Sequence, residues 1–339
     1  MKEKIMQWFP VLLICLGLLW RVVLLDTVPF SFYHDELDYV FTGQAVSQLG
    51  TDVSGEWSPW QLRSLQTINR TAELPAFFHS IFFTLFYDSV IWGRVVAATF
   101  GIATLVLTAC LFKLLSQKWN IGIWAAAFVA INPWHIYISR SGFEGGISLF
   151  FQTAFVVCIV WLLQEAWKRR ETRKAAEFEM PFIGVAVLLP VLFFFAFFTY
   201  HAAKFTMLAL VVVGAFLYGM SKATMLRKGL VIGLLALVSI SCVAWTVQQQ
   251  MQGSFGNRQG ELIFSDAFLS EYVNEDRRLS ITFDIPQPIA QIMPGETATQ
   301  VPLFLKKITI NKVTIVAQEL IKQYVSVFDI YRLFVTGYE

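Results

Sequence analysis

Two carboxylates and an imidazole stand side by side at His34-Asp35-Glu36, just past the end of the first long apolar run. A carboxylate in a partly dry setting, with a second acid beside it, has its proton affinity raised toward the range a general base needs. Other ionisable residues occupy the same kind of position. Arg21, Glu73, Arg94, His135, Arg140, Glu144, His201 and Lys204 all stand at or near the end of an apolar run. Three of the four histidines belong to this group; the fourth, His79, lies in a shorter apolar segment. The middle of every long run is free of Asp, Glu, Lys and Arg. Intramembrane charges mark ion and proton paths, so their absence argues against an ion-coupled carrier, whose site sits near the midplane. The distribution points instead to one site at one membrane surface, assembled from several loops.

The elements that must position these residues are apolar helices. The chain has 339 residues, 56% hydrophobic and 15% charged, with a mean hydropathy of +0.58. A soluble domain carries about 25% charge, so an all-α integral membrane protein is expected. The net charge of +2 and the lack of a basic aromatic patch exclude a nucleic-acid partner. Cys15, Cys110, Cys158 and Cys242 each lie inside an apolar run without a C-x-x-C pair. They read as small buried hydrophobes rather than disulfides or metal ligands.

Seven spans are expected, at 8–25, 93–115, 119–138, 147–164, 182–199, 205–219 and 229–247. The first lacks a small-residue cleavage site and reads as an uncleaved span. Lys and Arg fall mainly on one side: Lys2, Lys4, Lys113, Lys118, Lys168 to Lys174, Lys222, Arg227 and Lys228. The short turns opposite hold Arg140 and Lys204. That asymmetry puts the N-terminus in the cytoplasm. The alternation requires that residues 74–86 do not cross, and 13 residues are too few to do so. The expected organisation is a transmembrane domain at 1–247, with a large first outer loop at 26–92, and an extracytoplasmic segment at 248–339. Two interfacial helices are expected in the first loop, at about 36–49 and 74–86. In the former, Leu37, Val40, Phe41, Ala45 and Leu49 recur on one face. Asp35 suits its N-cap and Gly50 its C-terminal cap.

Several residues have plain readings beside chemical ones. Arg140 and Glu144, four apart, suit a surface ion pair. Lys204 suits a snorkelling side chain, and Trp57 and Trp60 suit interface anchors. No spacing of His, Asp and Glu forms a metal set; a divalent cation at Asp35 and Glu36 stays open. The chemistry that fits the layer as a whole is transfer from a lipid-linked phosphate. The lipid tail stays in the bilayer, Arg and Lys hold the anionic head, and a carboxylate at the same depth deprotonates an acceptor hydroxyl.

Three blocks carry a resemblance. His34-Asp35-Glu36 follows the first span. Asn132-Pro133-Trp134-His135-Ile136 runs on to Ser139-Arg140 and Phe143-Glu144. Thr199-Tyr200-His201-Ala202-Ala203-Lys204 opens the sixth span. In this order they resemble the GT-C superfamily of polytopic glycosyltransferases, close to the bacterial protein-mannosyltransferase/aminoarabinose-transferase-like family 39. Arg94 is a weaker match. Where that family often has a cation followed by two prolines, this chain reads Glu73-Leu74-Pro75. The resemblance implies a GT-C-type helical bundle in the inner membrane, with its active site on the extracytoplasmic side. It implies a polyprenyl-phosphate sugar donor and a glycan, lipid or protein acceptor. Asp35 would be the base, with Glu36 beside it, and Arg140, Lys204, His201, Arg94, Glu144 and His34 would bind donor or substrate. Members of that family continue with further spans, so a truncated member is expected. The rival expectation is a non-catalytic carrier or assembly scaffold of similar fold, or a lipid-linked oligosaccharide transferase or polymerase.

Overall fold

A computed structural model describes residues 2–29, 32–63, 72–86, 91–168 and 180–251, and the single positions 314, 317 and 321. These residues are helical, with no strand among them. The chain has two compact units, Met1–Ser254 and Phe255–Glu339, and among the described residues ten α-helices lie in the first. The expected outer segment at 248–339 lies almost entirely outside the described residues, as does the basic run from Arg169 to Lys174.

Among the described residues, five helices are long and apolar enough to cross a membrane. They are α4 (Ile91–Ser116), α7 (Glu144–Lys168), α8 (Met180–Thr199), α9 (Ala203–Met220) and α10 (Met225–Met251). α1 (Lys2–Val22) has a shorter apolar part, from Trp8 to Val22. The stretch 119–138, expected as one span, is two helices: α5 (Trp119–Ala130) and α6 (Pro133–Ile138). Pro133 has no N–H to donate and pushes the preceding residue out of the helical region. Asn132 is accordingly extended, at φ −67° and ψ 120°. Its side chain accepts a hydrogen bond from the His135 N–H at 3.0 Å and starts a new helix. The 12 residues of α5 extend only about 18 Å.

α3 (Pro75–Leu85) has 11 residues and reaches about 16 Å, too short to cross. It is anchored from its middle. The ring of Phe78 meets Phe100 of α4, Phe151 of α7 and Phe195 of α8 at centroid distances of 5.4, 5.3 and 5.6 Å. Aromatic contacts of this kind contribute about 0.5–1.5 kcal/mol each beyond area burial. Around them runs the main apolar core, built from α4, α7, α8, α9 and α10.

α2 (His34–Leu49) lies on α3 and α4 and ends at Gly50, whose φ of +76° is left-handed and whose N–H reaches the Val46 carbonyl. Its start corrects one expectation. Tyr33 is the N-cap and makes no side-chain cap bond; Asp35 and Glu36 fall within the first turn. Its orientation corrects another. The buried side carries Glu36, Tyr39, Val40, Gly43 and Ala45, while Phe41 and Leu49 are exposed. The helix is turned by its closest packing. Gly43 sits 2.5 Å from the His79 Cβ, measured from where a side chain would begin, and Glu36 is drawn inward by a cation.

Candidate active site

That cation is Arg94, near the start of α4. Its Nε donates to Glu36 Oε1 at 3.0 Å, with both side chains fully buried. The same oxygen accepts the Gly142 N–H at 2.9 Å. Arg94 Nη1 donates to the carbonyls of Leu25 and Pro29, and its guanidinium lies 3.9 Å from the centroid of Phe32. One ion pair thus ties together the end of α1, the first turn of α2, the start of α4 and the α6–α7 loop. Burial pushes the Glu36 pKa up, outweighing the downward pulls of the Gly142 N–H and Arg94. Glu36 and Arg94 were expected as a catalytic acid and a phosphate contact. Both are buried and paired with each other. Asp35 stays half-exposed while Glu36 is enclosed.

Asp35 faces a second group. The Tyr39 hydroxyl accepts the Ala72 N–H at 2.9 Å and hydrogen-bonds the Glu144 carboxylate. Tyr39 is fully buried. Burial first, then the charges of Glu144 and Asp35, hold its phenol well above the ordinary value. Tyr200, between α8 and α9, also feels Glu144, and its pKa is raised by burial and then by that charge. The charges of Asp35 and Glu144 thus act on Tyr39, and that of Glu144 on Tyr200, so three separate parts of the chain share one electrostatic environment. The α6–α7 loop is fixed residue by residue to achieve this. Gly142 is held by Glu36, the Phe143 ring packs on Tyr33 at 5.2 Å, and Glu144 is held by Tyr39.

The remaining cations take different positions. Lys204, at the start of α9, is nearly buried and pairs with Glu73 at 2.5 Å. Beside it, the Leu74 N–H donates to the Phe198 carbonyl at 3.1 Å. The segment 72–74 thus joins Tyr39 to the α8–α9 junction. The acid at Glu73 supplies what Lys204 needs for burial. Arg140 is nearly buried and turns toward the end of α1, donating to the carbonyls of Trp20, Leu24 and Val28. Its pKa is lowered by burial and by Arg94. Among the described residues its partners are neutral carbonyls, so the charge of Arg140 is not cancelled by an acid. His34 is exposed and His201 half-exposed.

Arg21 and His135 form a separate buried group. Arg21 donates to the carbonyls of Gly17, Ala130 and Val129 and to His135 Nδ1 at 2.8 Å. His135 is neutral, its pKa drawn down to about 4 by burial and by Arg21. This pair locks α1 to the α5–α6 break.

Tyr39, Gly142 and His79 were not singled out as site residues. Tyr39 is three residues beyond Glu36, on the same helix face, and that spacing was the available signal. His79 had none. Among the described residues no three His, Cys, Asp or Glu side chains gather as a metal set. No family model, curated protein or solved structure matches the chain.

Proposed function

We propose that this chain is a GT-C-type membrane glycosyltransferase that moves a sugar from a polyprenyl-phosphate donor to an acceptor hydroxyl on the extracytoplasmic side. The observation that carries this reading is the division of labour between adjacent acids. Glu36 is immobilised by Arg94 and Gly142, and the resulting orientation of α2 leaves Asp35 half-exposed beside Tyr39 and Glu144. A general base needs that combination of a fixed backbone and an accessible carboxylate.

In this reading Asp35 takes the proton of the acceptor hydroxyl as its oxygen bonds to the anomeric carbon. The bond from that carbon to the phosphate oxygen breaks, and the lipid monophosphate leaves with the electron pair. Attack opposite the phosphate inverts the anomeric centre. Arg140, whose hydrogen-bond partners among the described residues are backbone carbonyls, and Lys204, oriented by Glu73, favour the growing negative charge on phosphate. Glu144 and Tyr200 offer hydrogen-bonding groups for sugar hydroxyls, with the buried Tyr39 holding Glu144 from behind. α1 and the stretch 119–138, formed by α5 and α6 together, complete seven crossings with the five long helices, in an inner membrane with the N-terminus cytoplasmic.

The test is transfer from defined radiolabelled polyprenyl-phosphate sugars in membranes that contain the intact chain or its Asp35→Asn variant. The expected loss in the variant is about 10²–10⁴-fold. Equal transfer by both would remove Asp35 from the mechanism. If neither chain transfers any of the sugars, the scaffold reading takes its place.

A further inference from the structure

Ala72, Glu73 and Leu74 are each at most 2% exposed. They lie outside the helices, so their backbone N–H groups must find partners elsewhere in the fold. The two outer ones do. The Ala72 N–H donates to the Tyr39 hydroxyl at 2.9 Å, and the Leu74 N–H donates to the Phe198 carbonyl at 3.1 Å. One stitch ties the segment to α2, and the other ties it to the last turn of α8. Between them Glu73 Oε1 reaches Lys204 Nζ at 2.5 Å.

The carboxylate has little else to hold it. Glu73 Oε2 is buried and has no hydrogen-bond partner among the described residues. The direction of Glu73 is therefore set by its backbone, and that backbone is set by the two stitches. The α8 stitch runs main chain to main chain and uses no side chain. The α2 stitch depends on one oxygen, the phenol of Tyr39. Packing alone does not require that oxygen. Tyr39 is fully buried, and its ring stacks on the imidazole of His79, with centroids 6.3 Å apart and planes 8° from parallel. A phenylalanine would keep the ring and the stack but leave the Ala72 N–H without its acceptor. Tyr39 also lies one turn of α2 beyond Asp35, on the same side of the helix. One helical turn thus carries the proposed base at one end and, at the other, the anchor of the segment that holds Lys204. Tyr39, Ala72, Glu73 and Lys204 are all buried, where a hydrogen bond is stronger than in water.

We propose that Tyr39 is a positioning residue: its hydroxyl, through the Ala72 N–H, fixes the segment 72–74 and so aims Glu73, which holds Lys204 toward the donor phosphate. This rests on the glycosyl-transfer reading for its kinetic consequence but not for the placing of Lys204. The test compares the wild-type chain with Tyr39→Phe, Glu73→Gln and the double variant, each as the intact chain in detergent. Two readouts are taken. One is the KM for donor and for acceptor in transfer from radiolabelled polyprenyl-phosphate sugars. The other is acylation of the Lys204 amine by an N-hydroxysuccinimide ester, followed by mass spectrometry, with the exposed Lys118 as reference. In Tyr39→Phe the donor KM should rise about tenfold, the worth of one hydrogen bond, with the acceptor KM unchanged. Lys204 should label faster there, and Lys118 should not. In the Glu73→Gln background, loss of the hydroxyl should add nothing to the donor KM, because the two groups act in series. A tyrosine with a merely structural role would lower the amount of active protein, and kcat with it, and leave both KM values alone. That result would overturn the proposal, as would Lys204 labelling at the wild-type rate, or the same rise in donor KM with Gln at position 73. If the wild-type chain transfers nothing, the glycosyl-transfer reading falls, and the labelling arm alone decides whether Tyr39 places Lys204. If Tyr39→Phe does not fold, Ala72→Pro, which removes the same bond from the donor side, is read against the same expectations.

Discussion

Glu36 and Arg94 show how burial converts residues with chemical side chains into structural ones. Both are enclosed, so removing one leaves the other charged or polar without its partner. Glu36→Leu should destabilise the protein by about 3–5 kcal/mol, read as a lower thermal midpoint in detergent. The double replacement Glu36→Leu/Arg94→Met should recover much of that loss, because no charge is then stranded. The buried histidines give a pH prediction. His79 and His135 have folded pKa values of about 4, against 6.5 for a free imidazole. As pH falls, the unfolded chain takes the proton first. Their contribution is therefore whole above pH 6.5 and is lost as pH falls from there through about 4, by roughly 3 kcal/mol for each histidine. Glu36 has the opposite sign. Its raised pKa favours the fold below 4.5, and that contribution is lost as pH rises past its folded value. Denaturation midpoints measured from pH 7 down to 4 should fall steadily in the wild type and less steeply in His79→Asn. An unchanged slope in the variant would mean that His79 titrates normally.

At the scale of elements, the α1–α5 contact is backbone against backbone. A side chain on Gly17 would collide with the Ala130 carbonyl, an atom that Arg21 also holds. Gly17→Ala must push α1 and α5 apart, at a cost of about 1–3 kcal/mol, and should lower the thermal midpoint. Gly145→Ala, where nothing lies within reach of an added carbon, is the control and should not. These elements also show what a sequence can and cannot reveal. The long apolar runs of α4, α7, α8, α9 and α10 were legible because a run of about 20 apolar residues has few other uses. The short helix within 74–86 was legible from the length of its apolar run. The break at Asn132-Pro133 carried a helix-start signature, but it lay inside an apolar stretch that reads as one span. The face of α2 was misread for a different reason. Period alone ranks Phe41 with Val40, whereas packing is decided by Gly43, which lets α3 come close, and by Glu36, which a hydropathy pattern places outside. The site followed the same division. Asp35, Glu144 and Lys204 were visible as charged residues at run ends. The partners that orient them, Tyr39, Gly142 and Glu73, are fixed by tertiary contacts that no local spacing encodes.

For the whole molecule, the proposed orientation has a direct test. α4 has 26 residues, about 39 Å of helix, so its two ends emerge on opposite sides of a bilayer. His34→Cys lies on the side where α4 begins and Lys118→Cys on the side where it ends. In a chain whose native cysteines are replaced by alanine, a membrane-impermeant maleimide added outside intact cells should label His34→Cys and spare Lys118→Cys. The reverse pattern would place Asp35 in the cytoplasm and end the extracytoplasmic reading. The broken span matters at this scale too. Ser139, just past α6, packs on Gly101 of α4, ten residues in from the helix start and so about 15 Å below it. α5 offers lipid only about 18 Å of apolar length, against a hydrocarbon layer of about 30 Å, and a bilayer meets so short a flank by thinning. In the glycosyl-transfer reading proposed above, a bilayer thinned beside α5 would bring the headgroup of a lipid donor down toward the loop of Arg140 and Glu144, and the missing turns of one helix would serve as its way in.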